Sequence, residues 1–146
     1  MPTRFAATTR LTCPDEPALL AFAADFALRL RAGDTVALDG PLGAGKTTFV
    51  RALVRALHGR EQATSPTFTF WHHYPGRPPI EHLDLYRIER ADDVAELGLE
   101  EAFTRDSIVL VEWSRNAPDL LPERRYEIEL VGCGAAPRSL TLRGPS

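Results

Sequence analysis

Gly40, Gly45, Lys46 and Thr47 stand at the spacing G-x-x-x-x-G-K-[ST] in the stretch GPLGAGKT. A glycine-rich turn can aim successive backbone N–H groups into one concavity, which suits phosphate oxygens. A helix that begins at the turn adds the positive end of its dipole. A lysine at this place reaches the β- and γ-phosphates as a compact charge, and a hydroxyl at Thr47 can ligate magnesium. Lys46 is the only lysine in the chain, and arginine fills the other sixteen basic positions. A broad planar guanidinium would fit such a loop poorly, so the exception falls where the chemistry asks for it. The competing reading is a glycine-rich turn with an incidental lysine.

Magnesium needs a second anchor, commonly a carboxylate at the end of a buried strand beside the loop. Glu112 follows the apolar run Ile108–Val111 directly. Asp84 closes the β-prone stretch Ile80–Asp84, and strand C-terminal ends are where ligands sit in open α/β sheets. One of the two could hold the metal and the other orient an attacking water; the sequence does not divide these roles. Thr64, Ser65 and Thr67 surround Pro66. Their hydroxyls could report a γ-phosphate as switch segments do, or simply form a turn. His72 and His73 are adjacent, so on a strand they face opposite sides and cannot readily share a metal, even with His82 nearby. Trp71 and Trp113 are expected in the core, and Arg124 and Arg125 in solvent. Guanine selectivity through an Asn-Lys-x-Asp element is impossible here, since the one lysine is already in the loop. ATP is therefore the expected nucleotide.

These groups need a scaffold. Residues 35–39 form a short β-prone run just before the loop, and Phe49, Leu53, Ala56 and Leu57 recur at helical spacing after it, with Gly59 as the stop. Upstream, residues 4–9 suit an edge strand. Asp15 can cap a helix beginning at Glu16 and Pro17, whose apolar face is Leu19, Phe22, Ala23, Phe26 and Leu30, with Gly33 as its end. Downstream, Thr67–Tyr74 and Ile80–Asp84 read as a hairpin, 91–103 as a helix broken near Gly98, and Ser107–Val111 as a buried strand. Residues 125–131 and 138–143 read as a closing antiparallel pair. The order βαβα followed by several strands implies a three-layer α/β fold with an antiparallel part.

The 146 residues fit one domain, residues 1–146, with a real core. A 44% hydrophobic and 25% charged composition excludes whole-chain disorder. A net charge of −3 argues against a nucleic-acid binder acting through bulk charge. No apolar run approaches the length of a membrane span, and the first eleven residues do not resemble a secretory signal, so the cytosol is the expected location. Cys13 and Cys133 are isolated, which suits buried free thiols rather than a zinc site.

Four separated segments carry a family resemblance: GPLGAGKTTF from Gly40, SPTF from Ser65, HLDLYR from His82 and LVEW from Leu110. In this order and spacing, from about Pro14 to Pro122, the chain resembles the bacterial TsaE (YjeE) family. The resemblance implies a P-loop NTPase fold with a mostly parallel central sheet. It also implies a magnesium-dependent ATPase of tRNA threonylcarbamoyladenosine (t6A37) biosynthesis. Its partners would be TsaD-like and TsaB-like subunits, with tRNA met only through their complex and ATP turnover driving that complex's cycle. Carried over residue by residue, Gly43, Ala44, Gly45, Lys46, Thr47 and Thr48 would hold the phosphates, and Thr47 and Glu112 the magnesium. Lys46, Asp84 and Glu112 would serve catalysis, Ser65, Pro66, Thr67 and Phe68 would act as a switch-like loop, and Glu16 and Arg138 would approach the adenosine. Pro41 departs from the family's usual aspartate after the first loop glycine. A nucleotide-dependent scaffold with negligible turnover and a small-molecule kinase are the alternative readings, although few residues remain to build a kinase's lid and acceptor pocket.

Overall fold

The computed structural model describes residues 8–59, 70–132 and 136–145. Its elements are β1 (Thr8–Cys13), α1 (Glu16–Ala27), β2 (Thr35–Asp39), α2 (Lys46–His58), β3 (Trp71–Tyr74), β4 (Ile80–Asp84), α3 (Ala91–Leu97), β5 (Ile108–Glu112), β6 (Tyr126–Val131) and β7 (Arg138–Arg143). Three short 3-10 segments lie at Leu99–Ala102, Ser114–Asn116 and Pro118–Leu120.

All seven strands form one mixed sheet in the order β1-β7-β6-β2-β5-β4-β3. The inner four, β6, β2, β5 and β4, are parallel, and the pairs β1–β7, β7–β6 and β3–β4 are antiparallel. The strand compositions explain the placement. TVALD and IVLVE are near-continuous apolar runs, as strands covered on both faces require. YEIELV and RSLTLR alternate instead, and their burial alternates with them.

Side-chain parity sorts the core into two layers. Val36, Leu38, Ile80, Ile108, Leu110 and Ile128 face α1 and α2, where Phe26, Phe49 and Leu53 meet them. Leu83, Val109 and Val111 face the other way, toward Leu85, Ile88, Leu99, Ala102 and Ala117. Ala37 and Leu38 at the sheet centre are 2% and 0% exposed, so the phosphate-loop segment that follows leaves from a rigid strand.

Several element ends differ from the sequence expectation. Asp15 does cap α1, its Oδ1 accepting from the Ala18 N–H at 3.0 Å. The helix stops at Ala27, however, not near Gly33. Tight i→i−3 bonds take over at Leu28, Arg29 and Leu30, and the Asp34 carboxylate accepts the Arg31 N–H at 2.8 Å. Side-chain competition for backbone donors closes the segment early. The first strand is Thr8–Cys13 rather than 4–9, because pairing with β7 along Thr8↔Arg143 to Cys13↔Arg138 fixes its extent; residues 4–7 lie outside the described set. β3 begins at Trp71; of the longer stretch expected from Thr67, residues 67–69 lie outside the described set. The break at Gly98 is present, with φ +67 and the 3-10 segment beyond it. Cys13 is a buried free thiol, and Cys133 lies outside the described residues. No helix among the described residues is long and apolar enough to cross a membrane.

Candidate functional site

Asp39, Asp84 and Glu112 end three neighbouring parallel strands, with Leu38 and Asp84 both in register with Glu112. The loop between β2 and α2 rises from this same edge, the carboxyl edge where open α/β sheets take ligands. Its shape depends on positive φ at Gly40, Gly43 and Gly45. Gly40 has φ +148, and a Cβ there would lie 2.2 Å from the Leu130 carbonyl oxygen on β6. Gly45 has φ +103 and forms the N-terminal cap of α2 with no side-chain bond, so the first turn of that helix opens directly onto the loop.

Lys46 is 5% exposed and anchored inside its own loop. Its Nζ donates to the carbonyls of Gly40 at 2.6 Å and Pro41 at 2.9 Å. The Trp113 ring covers the same ammonium, with Nζ 4.1 Å from the ring centroid. Burial pushes the Lys46 pKa down, opposed by the carboxylates of Glu112, Asp39 and Asp84. Pro41 takes part in this anchoring through its carbonyl. It lacks an N–H, yet its carbonyl accepts both from Lys46 and from the Ala44 N–H at 3.1 Å.

Glu112 is 2% exposed and sits between α2 and β4. Thr47 Oγ1 donates to Glu112 Oε1 at 3.1 Å, and His82 Nε2 lies 2.6 Å from Oε2. A hydroxyl and a carboxylate side by side are hard oxygen donors. Magnesium takes one or two such protein ligands and completes its shell with water and phosphate. The pair therefore fits that ion, although the described residues include no group of three or more His, Cys, Asp or Glu able to hold a metal by themselves. Asp84, at the next strand end, is partly buried and accepts the Tyr86 N–H at 3.1 Å. Burial raises its pKa, the Tyr86 N–H opposes that, and the neighbouring Glu112 adds to it.

On the other side of the loop, Arg138 reaches in from β7. Its Nε donates to the Ala44 carbonyl at 2.8 Å and its Nη2 to that of Gly43 at 3.4 Å. Because a trans peptide points C=O and N–H in opposite directions, pinning these carbonyls also fixes the facing of the next amides. Glu16, exposed in the first turn of α1, lines a cleft of about 360 Å3 together with Leu19, Gly45, Thr48 and Arg138. The two residues expected near the adenosine thus share one cleft beside the phosphate loop.

The structure therefore gathers Gly43, Ala44, Gly45, Lys46, Thr47, Thr48, Asp84 and Glu112 at one edge, with Glu16 and Arg138 flanking. Ser65, Pro66, Thr67 and Phe68 lie outside the described residues. Three groups were not anticipated in the roles their positions give them. Trp113, expected in the core, packs at its edge only partly buried, has φ +58, and lies over Lys46, with the Tyr86 ring tilted against it at 5.0 Å between centroids. Its position directly after Glu112 was the available signal. Ser114 and the Arg115 N–H both hold the Asp39 carboxylate, tying the segment after Trp113 to the end of β2. His82 reaches Glu112. By contrast His73 faces away, toward Glu81 at 2.8 Å on the opposite side of the sheet, so the adjacent histidines do diverge. Arg125 is not simply solvated: it is partly buried and bonds Glu127 at 3.0 Å and the Pro122 carbonyl at 2.9 Å.

Comparison with known proteins gives the family and the fold. A profile described as threonylcarbamoyl adenosine biosynthesis protein TsaE matches residues 13–139. The tRNA threonylcarbamoyladenosine biosynthesis protein TsaE of Bacillus subtilis is 39% identical over 111 residues, 75% of this chain and 69% of that one. The Treponema pallidum protein of the same name is 35% identical over 113 residues, 77% of this chain and 84% of its own. The crystal structure of Bacillus subtilis YdiB superposes with a TM-score of 0.78 at 29% identity, covering 99% of this chain and 90% of that one. With a profile spanning most of its length and relatives at this identity, the chain belongs to the TsaE family of threonylcarbamoyl adenosine biosynthesis proteins.

Proposed function

We propose that this chain is a magnesium-dependent ATPase that acts in the cytosol, as one nucleotide-binding domain, in forming threonylcarbamoyladenosine at position 37 of tRNA. Its turnover would drive the cycling of a complex with TsaD-like and TsaB-like subunits, and tRNA would be met through that complex. The observation that carries the reading is the contact of Thr47 with Glu112 at the mouth of a loop that already holds its lysine in place.

The chemistry is one of positioning and charge. The loop from Gly43 to Thr48 presents backbone amides and the start of α2 to the phosphates, while Arg138 keeps the outer carbonyls turned away. Lys46 supplies positive charge to the β- and γ-phosphates from a site where Trp113 and the loop shut out water. Thr47 and Glu112 would hold magnesium, which when bound offsets the charge developing on the phosphate oxygens. Asp84 orients the attacking water, and burial inclines its carboxyl toward holding a proton. Adenosine would lie in the cleft between Glu16 and Arg138. ATP is favoured over GTP because no second lysine exists to build an Asn-Lys-x-Asp element.

The test is phosphate release from ATP by the purified chain, alone and then with TsaD-like and TsaB-like subunits. Magnesium-dependent release that rises when the partners are added is the expected result. Binding without release under both conditions would leave a nucleotide-dependent scaffold in place of an ATPase.

A further inference from the structure

We propose that His82 is a positioning residue that holds the Glu112 carboxylate in place for a divalent cation; the role rests on the reading of Thr47 and Glu112 as the magnesium-holding pair. His82 lies at the middle of β4, two residues before Asp84 and on the same face of the strand. Parallel pairing of β4 with β5 sets Asp84 beside Glu112, so the His82 ring comes up beneath the Glu112 side chain. Both side chains are 3% exposed, and Nε2 is 2.6 Å from Oε2.

The burial pattern argues that the ring is there for this bond. On and just after the same strand, Ile80, Leu83 and Leu85 are 0% exposed and aliphatic, as core filling requires, and the buried Glu81 has partners in Trp71, His73 and Ser107. At position 82 the chain instead buries an imidazole whose Nδ1 has no hydrogen-bond partner among the described residues. An unpaired buried nitrogen is unfavourable, so a purely space-filling position would favour leucine or phenylalanine. The compensation is Nε2. An ionised carboxylate only accepts, so Nε2 carries the hydrogen and donates it to Oε2.

The consequence for Glu112 is geometric. Its two oxygens meet donors from different elements, Thr47 on α2 at Oε1 and His82 on β4 at Oε2. The carboxylate plane is thereby fixed before any cation arrives. Without His82, its terminal torsion is broad and loses one of these two restraints. Residues that orient metal-ligating carboxylates commonly change metal affinity by about 10–100-fold when removed.

The experiment is ATP titration by calorimetry across a magnesium series and in EDTA, on the wild type, His82→Phe and His82→Gln, with melting temperatures alongside. His82→Phe should need about 10–100-fold more magnesium for the same gain in ATP affinity, with affinity in EDTA unchanged. His82→Gln, whose amide nitrogen can reach the place of Nε2, should recover most of the loss. An unshifted magnesium requirement in His82→Phe overturns the inference while leaving the site reading intact; a wild type indifferent to magnesium overturns the site reading itself. Should His82→Phe not fold, the imidazole 15N spectrum of the wild type decides. A proton on Nε2 supports the role, and a proton on Nδ1 with a bare Nε2 removes it.

Discussion

Gly40→Ala changes one hydrogen to a methyl group, yet the geometry gives it two separate costs. A residue other than glycine at φ +148 is strained by about 1–3 kcal/mol. The added Cβ would also stand 2.2 Å from the Leu130 carbonyl oxygen, an atom of backbone rather than of a flexible side chain. β6 cannot easily retreat, since β2 pairs with it on one side and β7 on the other. Forcing extra volume into such a place adds about 1–3 kcal/mol. Together these reach roughly 2–6 kcal/mol, a large part of the about 5–15 kcal/mol that stabilises a typical domain. For a chain of this length the melting temperature should fall by about 5–20 °C. If the loop yields instead of the strand, the Gly40 carbonyl moves away from Lys46 Nζ, now 2.6 Å from it, and nucleotide affinity falls in place of stability. Thermal melting and ATP calorimetry on the same preparation read both outcomes. A variant that melts within about 2 °C of the wild type and binds ATP equally well would refute the reasoning.

Three other changes probe the rest of the site. Asp84→Asn should keep ATP binding and lose phosphate release; unchanged release would remove its assigned role. The same variant carries a pH signature. Burial raises the Asp84 pKa above 3.8, so the folded chain holds that proton more tightly than the unfolded chain, and the carboxylate costs stability as pH rises through this window. Without nucleotide or magnesium, Asp84→Asn should therefore melt higher than the wild type at neutral pH, with the difference shrinking as the buffer is acidified. Arg138→Met keeps the apolar stem but loses the bonds to the Ala44 and Gly43 carbonyls, and ATP affinity should drop by about tenfold in calorimetry. Glu112→Ala should lose the gain in ATP affinity that magnesium provides while binding in EDTA persists, as titration at fixed chain concentration would reveal.

The parts of this molecule legible in sequence were those fixed by local chemistry. The loop from Gly40 to Thr47 is set by glycine torsions and one lysine, and the helix after it by regular apolar spacing and Gly59. β2 and β5 were legible because burial on both faces leaves a continuous apolar run. Glu112 could be picked out because it directly ends such a run, and Asp84 because it closes a β-prone stretch. What escaped depends on contacts between distant elements. β1 takes its limits from β7, and α1 gives way at Leu28 to i→i−3 turns that close at Arg31, where the Asp34 side chain captures a backbone amide. Trp113 reads as one more core aromatic until its positive φ turns the ring over Lys46. His82 and Glu112 are thirty positions apart, and only the register of β4 against β5 brings them together. Arg138 is placed near the nucleotide by the family resemblance, but its bond to the Ala44 carbonyl depends on the sheet carrying β7 to the loop.

The central claim is that the loop around Lys46 grips the triphosphate of ATP with magnesium. Calorimetric titration of the wild type with ATP and magnesium should show saturable heat at one site per chain, and Lys46→Ala should show none. Absence of heat from the wild type, even with TsaD-like and TsaB-like subunits present, would contradict the account.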